Sequence, residues 1–275
     1  MKKTSEKRLW ILDILMLPAG IIAFFPFYMI IVNTFKTMQD AAKNPMALPS
    51  KWIFTNYIQV FEDTSVIRSF WNTLTITVCS VALIVLIGAM AAYPVVFNAN
   101  RITRFAMLYL LAGFMIPFQA TLIPLFQLMS DLHLIDKLYG LITLYTSGSV
   151  FVFFLMMGYM RTIPRELTEA AVIDGCSVWG IFWRIIFPLL KPITITSTIF
   201  QTMWIWNDFL APMLFLNSAS KSTLVLQIYK AKGEFTVNWP MFMTLTVITL
   251  VPIFIFFIVM QKHIVKGIAA GAVKG

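Results

Sequence analysis

The sequence predicts an all-α, polytopic membrane protein with about six transmembrane helices, and three observations predict it. Hydrophobic residues make up 59% of the 275 residues, and charged residues only 12%, which is about half their share in a soluble domain. The mean hydropathy is +0.83. The apolar residues form continuous stretches rather than the period-two alternation of a membrane β-barrel. Together these features exclude a soluble, collagen-like, disordered or disulfide-scaffold protein.

Six apolar stretches are each long enough to cross a hydrocarbon core of about 30 Å, which takes about 20 helical residues. Unpaired backbone amides cost several kcal/mol each in lipid, so these spans must be helices. The apolar run that follows Met1–Arg8 is too long for the core of a signal peptide, so we expect it to be a span. The predicted spans are Trp10–Phe35, Phe70–Phe97, Phe105–Met129, Leu138–Met160, Ile193–Leu216 and Met241–Met260.

The net charge of +9 reflects the positions of the lysines and arginines along the chain. If the N-terminus is inside, 13 of the 21 basic residues fall in inner segments. The very short inner loop Asn98–Arg104 holds two arginines, and the positive-inside rule is most reliable for short loops. We therefore predict a multi-pass membrane protein, surrounded by lipid, with both termini cytoplasmic. The basic charge gives no reason to expect a nucleic-acid partner.

The chain lacks the sequence patterns of the common enzymes. His133 and His263 fall on opposite sides of the predicted membrane, so they cannot share a metal ion. Cys79 lies within a predicted span and Cys176 in an inner segment, which makes a disulfide between them implausible. There is no phosphate-binding glycine loop and no serine nucleophile elbow. We predict no catalytic residue, no metal site and no cofactor bound to this chain.

The longest inner segment, residues 161–192, has the local chemistry of two short helices joined at a corner. Glu166 falls in the first helical turn, where the helix dipole favours an anion. Gly175 is a natural helix stop, because glycine adopts the left-handed cap conformation at little cost. Ser177 can cap a second helix, which we expect to end at Phe187, just before Pro188.

Small and acidic residues distinguish the first of these helices. Ala170 and Ala171 present a smooth surface between the carboxylates of Glu169 and Asp174. Such a surface can fit a cleft in another protein that offers basic partners. It can also belong to an amphipathic loop that rests on lipid headgroups. Residue chemistry alone leaves both interpretations open.

The spacing within this segment resembles the EAA loop of ABC importer permeases. That family pattern is EAA-x3-G-x9-I-x-L-P, and this sequence departs from it only by a phenylalanine at the leucine position. The resemblance implies that the segment docks in a cleft of a separate ATPase subunit, that Glu169 pairs with a basic residue there, and that ATP and Mg²⁺ belong to that ATPase dimer. The matching positions are Glu169, Ala170, Ala171, Gly175, Ile185 and Pro188, and Phe187 stands at the leucine position.

The resemblance extends to the smaller permease subunit of maltose-type carbohydrate importers. The tail 262–275 is similar to the tail of that subunit, as are Trp206–Pro212 and Met115–Pro124. It implies a single permease domain, 1–275, of the type I ABC importer architecture, in the cytoplasmic (inner) membrane of a bacterium. It also implies three partners: a second permease subunit in a heterodimer, the ATPase dimer, and an extracytoplasmic sugar-binding protein.

The glycine- and alanine-rich tail is expected to be small and flexible. By resemblance it reaches into the ATPase dimer, where Lys266, Gly267 and Gly271 are the candidate contacts. Without the resemblance, a solvated and disordered end is the simpler expectation.

Asp208 is the costliest residue of the sequence, because it places an acid inside the predicted fifth span. It can line a translocation path with Asn207, Trp204 and Trp206, since tryptophan faces suit sugar rings. It can instead tie its span to a neighbouring helix by hydrogen bonds. A proton relay is a third possibility. The sequence leaves these three hypotheses for the role of Asp208 open.

In the third predicted span, the polar residues Gln119, Thr121 and Gln127 accompany Pro117 and Pro124. Proline interrupts the helical hydrogen bonds and leaves carbonyl groups that need other hydrogen-bond donors inside the membrane. The polar residues can line the path, or the kinked span can pack against a partner subunit.

Two outer loops complete the organisation, 36–69 and 217–240, and the resemblance assigns the second to contact with the binding protein. The leading functional hypothesis is a permease subunit that imports a sugar or oligosaccharide, driven by ATP hydrolysis on a separate subunit. The alternative is an ion-coupled secondary transporter or channel for a small polar solute, and the observation that supports it is Asp208 inside a predicted span. A membrane protein with only a structural role is a third class.

Overall fold

The computed structural model describes residues 2–63, 65–234 and 238–272, with side chains described for 16–62, 65–230 and 238–262. The described residues form helices joined by short connections, and no strand occurs among them. The α-helices are α1 Lys2–Thr34, α2 Met38–Lys43, α3 Thr55–Asp63, α4 Val66–Phe97, α5 Arg101–Phe114, α6 Leu122–Asp131, α7 Leu138–Ser147, α8 Ser149–Met160, α9 Glu166–Ile173, α10 Val178–Ile181, α11 Phe187–Leu189, α12 Lys191–Asn207, α13 Leu210–Phe215, α14 Leu224–Glu234 and α15 Trp239–Ala272. Short 3₁₀ turns occupy Phe118–Thr121 and Ala219–Lys221, and a π-helical turn occupies Phe182–Ile186.

The helices account for the predicted number of spans. Three are long and apolar enough to cross a membrane: Met16–Thr34, Val66–Phe97 and Trp239–Lys262. Three bent helix pairs also pass, which gives up to six spans if each pair counts as one. The all-α polytopic fold is therefore confirmed.

The third and fourth spans are broken helices. The third bends by 91° between α5 and α6, and Pro117 lies at the break. This agrees with the expected kink, because proline lacks the N–H that would continue the helix. Pro124, by contrast, sits in the first turn of α6, where a proline is tolerated. The fourth span bends by 41° at Gly148.

The fifth predicted span, Ile193–Leu216, is wrong as a continuous helix. Helix α12 ends at Asn207, and the backbone of Asp208 is extended, with φ −72° and ψ 129°. Its Oδ1 accepts the Leu210 N–H at 2.9 Å, so the side chain starts α13 instead of letting α12 continue. The bent pair in this region is Val178–Leu189 with Lys191–Asn207, at 72°.

The chain forms two compact units, and the first comprises Met1–Ile67 with Gln227–Val251. Its predicted outer loop, 36–69, contains helices α2 and α3. The Phe35 ring lies 5.3 Å from Trp52 and 5.6 Å from Tyr57, measured between ring centroids. Lys36 is fully buried and donates from Nζ to the carbonyl of Asn44 at 2.7 Å. Burial lowers the pKa of the Lys36 ammonium, although nearby Asp40 opposes that shift.

The second unit, Arg68–Leu226 with Pro252–Gly275, contains a continuous apolar core. Helices α4 and α8 approach closely at Gly88, where an added Cβ would lie 2.9 Å from Val152 Cγ1. The same core includes Ile181, Phe182 and Ile186 from the inner segment 161–192. The candidate coupling site is therefore attached directly to the packed spans.

Candidate coupling segment and translocation cavity

Helix α9 opens the inner segment and carries the acidic residues. Glu166 and Glu169 lie in its first turn, and both side chains are exposed. Ala171 is buried on the opposite side, while Ala170 is exposed beside Glu169. The helix thus presents carboxylates and a small side chain outward while it rests on the core.

The corner after α9 has the geometry that its local chemistry predicts. Gly175 has φ +77°. Its N–H donates to the Val172 carbonyl at 3.0 Å, and the Cys176 N–H donates to the Ala171 carbonyl at 2.9 Å. These two bonds form a Schellman motif around a left-handed residue. Ser177 then caps the next helix, because its Oγ accepts the Gly180 N–H at 3.1 Å.

The second helix of the segment continues through Pro188, so the prediction that it ends at Phe187 is wrong. The turn Phe182–Ile186 is π-helical, and the Phe187 N–H donates to the Phe182 carbonyl five residues earlier. A proline clashes with the carbonyl four residues before it in a regular α-helix. For Pro188 that carbonyl belongs to Arg184, inside the widened turn, so the π turn accommodates the ring.

The segment exposes apolar as well as acidic side chains. Ile173 is 86% exposed at the end of α9, and Val178 and Trp179 are exposed just beyond the corner. Asp174 and Glu169 are exposed beside them. An apolar tip edged by carboxylates has the composition of a protein-docking surface with a basic partner.

Substitution of Gly175 tests the corner. An added Cβ meets no atom within 4 Å, so any cost arises from the backbone conformation alone. A left-handed conformation costs an ordinary L-residue about 1–2 kcal/mol, and asparagine tolerates it better. We expect the free energy of local unfolding, measured by amide hydrogen exchange at Cys176, to fall least in Gly175→Asn, more in Gly175→Ala and most in Gly175→Val. Equal exchange in all three variants would contradict the assignment.

A cavity of about 1010 Å³ lies in the second unit, between α5, the α7–α8 junction and α12. Its wall is largely apolar, with six aromatic side chains and a few polar groups from Thr121, Ser147 and Gln201. Ligand sites of this size are commonly apolar with a few placed polar groups. The aromatic side chains are Tyr109, Phe114, Phe118, Phe151, Phe200 and Trp204.

The structure brings only two of the predicted path residues into this cavity, Thr121 and Trp204. Gln119 is exposed but is not part of the wall. Trp206 lines a second cavity of about 570 Å³, formed by α4, α11, α12 and α15. Two residues along a helix point to nearly opposite sides, which separates the two tryptophans. Sequence reasoning missed Gln201, which is three residues from Trp204 and therefore on the same helix face.

Asp208 lies at the break after α12 and outside the wall of the larger cavity. Its Oδ2 accepts a hydrogen bond from Tyr145 Oη at 2.8 Å, and Tyr145 is buried. The Tyr145 ring also packs edge-on against Trp204, with centroids 5.9 Å apart. The neighbouring Asn207 donates to the Met203 carbonyl of its own helix. Asp208 therefore joins the end of α12 to α7.

The predicted tail residues Lys266, Gly267 and Gly271 lie in the last turns of α15, which is helical to Ala272. The expectation of a flexible backbone is wrong for this stretch. The alanines at 269, 270 and 272 favour the helix. Residues 273–275 lie outside the described residues.

Broken membrane helices, a cavity with aromatic walls among them and the candidate coupling segment on the same core fit a multi-pass membrane transport subunit. Residues 84–270 match the family described as "Binding-protein-dependent transport system inner membrane component". The chain belongs to this family and is a permease component, not itself catalytic.

Similar proteins are found over the full length of the chain. It is 36% identical to the probable starch degradation products transport system permease AmyC of Thermoanaerobacterium thermosulfurigenes and 34% identical to the multiple sugar-binding transport system permease MsmG of Streptococcus mutans, with 100% of each chain covered. The structure of a bacterial ABC transporter that imports alginate contains a chain with TM-score 0.82 and 24% identity, covering 94% of this chain and 97% of that chain. That likeness shows a shared fold.

Proposed function

We propose that this chain is one of two permease subunits that import a sugar or oligosaccharide, driven by ATP hydrolysis on a separate ATPase. The observation that carries the proposal is the coupling segment, 161–192, with its helix, Gly175 corner and exposed carboxylates. The functions assigned to the relatives support a carbohydrate substrate. They include starch degradation products and, for a permease 31% identical from Bacillus subtilis, melibiose, raffinose and stachyose.

The ATPase partner binds the inner segment in this proposal. Glu169 and Asp174 supply charge for basic residues of the ATPase, and Ala170 keeps the exposed surface low. The buried Ala171 seats the helix on the core, contrary to its expected place on the smooth surface, and Gly175 sets the angle between the two helices. Pro188 anchors the far end of the segment at the π turn. ATP and Mg²⁺ are held by the ATPase, because this sequence has no phosphate-binding loop.

The tail is the second contact with the ATPase dimer. Helix α15 runs to Ala272, twelve residues beyond Met260, where the predicted sixth span ends, and this length supports a reach into the partner through Lys266, Gly267 and Gly271. The distribution of basic residues supports cytoplasmic positions for the coupling segment and both termini.

The aromatic cavity is the translocation path, and the second permease subunit closes its open side. Aromatic faces suit the apolar faces of sugar rings, while Gln201 and Thr121 can hydrogen bond to hydroxyl groups. Asp208 acts as a lock between α12 and α7, since both of its oxygens are engaged by Leu210 and Tyr145. This arrangement favours ATP-driven import over an ion-coupled mechanism that would need a free carboxylate.

The proposal is tested by uptake of labelled solutes into proteoliposomes that hold this chain, the second permease subunit and the ATPase, with the binding protein added outside. We expect uptake of oligosaccharides that depends on the binding protein. Uptake of amino acids or peptides with no uptake of sugars would overturn the carbohydrate assignment.

Replacement of Trp204 tests the path. Trp204→Ala removes an exposed aromatic face from the cavity wall, and we expect the initial rate of sugar uptake to fall about tenfold, the effect of about 1.4 kcal/mol. Trp71→Ala is the matched control, because Trp71 is 59% exposed against 56% for Trp204 but lies outside the cavity. An equal loss in both variants would show that the effect does not come from the cavity.

A further inference from the structure

Asp136 makes the densest set of polar contacts around any carboxylate among the described residues. Its Oδ1 accepts the backbone N–H groups of Asn217 at 3.0 Å and Ser218 at 2.9 Å. Its Oδ2 accepts Ser218 Oγ at 2.5 Å and forms an ion pair with Lys221 Nζ at 2.8 Å. Its own backbone is also engaged, because its N–H donates to the Phe215 carbonyl at 2.7 Å and its carbonyl accepts Lys221 Nζ. One residue therefore holds the chain over positions 215–221.

The same stretch is tied down a second time, near the start of α4. Asn72 Nδ2 donates to the Ser220 carbonyl at 2.9 Å and to the Ser222 carbonyl at 3.0 Å. The Leu224 N–H, at the start of α14, donates to Thr73 Oγ1 at 2.9 Å. We call residues 215–224 the anchored strap, since bonds from two distant parts of the sequence hold it.

The chemistry at Asp136 requires a charged carboxylate in a special backbone position. Its φ is +56°, a left-handed conformation that aspartate tolerates better than most residues. Hydrogen bonds from Lys221 and Ser218 hold the pKa of the Asp136 carboxyl well below its usual range, so it stays ionised at physiological pH. Bonds to an ionised acceptor are roughly twice as strong as neutral ones. The strap is thus ordered before any partner arrives.

The anchored strap overlaps the start of the segment 217–240, to which the family resemblance assigns contact with the extracytoplasmic binding protein of the proposed importer. A docking loop that is already ordered loses less conformational freedom on binding, and its affinity is higher for that reason. We propose that Asp136 is a positioning residue that pre-orders the anchored strap for docking of the sugar-loaded binding protein. This inference rests on the proposed function, because it needs the segment to be the docking site.

The test uses the complete transporter in proteoliposomes and measures ATP hydrolysis as the concentration of sugar-loaded binding protein rises. Asp136→Asn keeps the size of the side chain and removes its charge. We expect the half-saturating concentration of binding protein to rise about tenfold, while the maximal rate changes less than twofold. Asp131→Asn is the matched control, because Asp131 is exposed and its carboxylate makes no polar contact with any residue that the structure describes; it should behave as the wild type.

Amide hydrogen exchange on the same complex reports the order of the strap independently of transport. In Asp136→Asn the amides of Asn217 and Ser218 should exchange faster, whereas the Leu224 amide, held by Thr73, should not change. Unchanged exchange at 217 and 218 would overturn the proposal. Faster exchange with an unchanged half-saturating concentration of binding protein would also overturn it. So would faster exchange with a maximal rate of ATP hydrolysis that falls by as large a factor as the half-saturating concentration rises. Both results would leave the proposed function intact. If ATP hydrolysis by the wild-type transporter does not respond to the binding protein, both this proposal and the proposed function are overturned.

Discussion

Glu169→Lys is expected to weaken binding of the ATPase to the permease and, with it, sugar-stimulated ATP hydrolysis. Glu169 is exposed in the first turn of α9, beside the small side chain of Ala170. Reversal of its charge replaces an attraction to a basic partner by a repulsion, and loss of one member of a close interfacial charge pair costs about 2 kcal/mol or more. We expect the affinity of the ATPase for the permease to fall at least about tenfold, and sugar-stimulated ATP hydrolysis to fall with it.

The measurement is binding of purified ATPase to permease in nanodiscs, followed by the hydrolysis assay. Asp131→Lys changes the charge by the same amount on the opposite, outer side of the predicted membrane, so it should leave ATPase binding as in the wild type. Glu169→Gln should lie between the wild type and Glu169→Lys. Sugar-stimulated hydrolysis that survives Glu169→Lys unaltered would contradict the proposed role of this residue.

Gly140→Ala is expected to have the largest effect on stability of the substitutions considered. Gly140 is in the first turn of α7, and a Cβ added there would lie 2.2 Å from the carbonyl oxygen of Leu134. That oxygen belongs to the backbone of the loop that holds Asp136, so α7 and the loop must move apart. Overpacking of this kind costs about 1–3 kcal/mol and occasionally more. We expect a loss of about 3 kcal/mol, which lowers the midpoint of thermal unfolding by about 6–12 °C.

The control for this prediction is Gly158→Ala in α8. No atom lies within 4 Å of a Cβ added at Gly158, and alanine stabilises a helix interior by about 0.5–1 kcal/mol relative to glycine. Thermal unfolding of the purified permease should therefore shift in opposite directions in the two variants. A stable Gly140→Ala protein would contradict the close contact between α7 and the Leu134 carbonyl.

Features set by local chemistry could be predicted from the sequence. The spans follow from the length of apolar stretches that lipid demands, and the Gly175 corner follows from the residues on either side of it. The bend at Pro117 has the same origin, because a missing N–H acts within one helical turn. The exception is Pro188, where a π turn that no local signal announced keeps the helix intact.

Features set by contacts between distant residues could not be predicted. Asp208 was recognisable as a costly acid, but its partner Tyr145 is 63 residues away, and the break after α12 depends on the bonds that Asp208 makes. Asp136 was missed because the residues it holds lie about 80 positions further along the chain. In sequence it does not differ from Asp131, which holds nothing among the described residues. The division of Trp204 and Trp206 between two cavities depends on neighbours from several helices.

The energy source of sugar uptake is the most direct test of the proposed function. Proteoliposomes that hold both permease subunits and the ATPase are loaded with ATP and supplied outside with sugar-loaded binding protein. We predict accumulation of sugar only when ATP is enclosed, at a rate that a protonophore does not change. Uptake without ATP that a protonophore abolishes would contradict the account and establish an ion-coupled transporter.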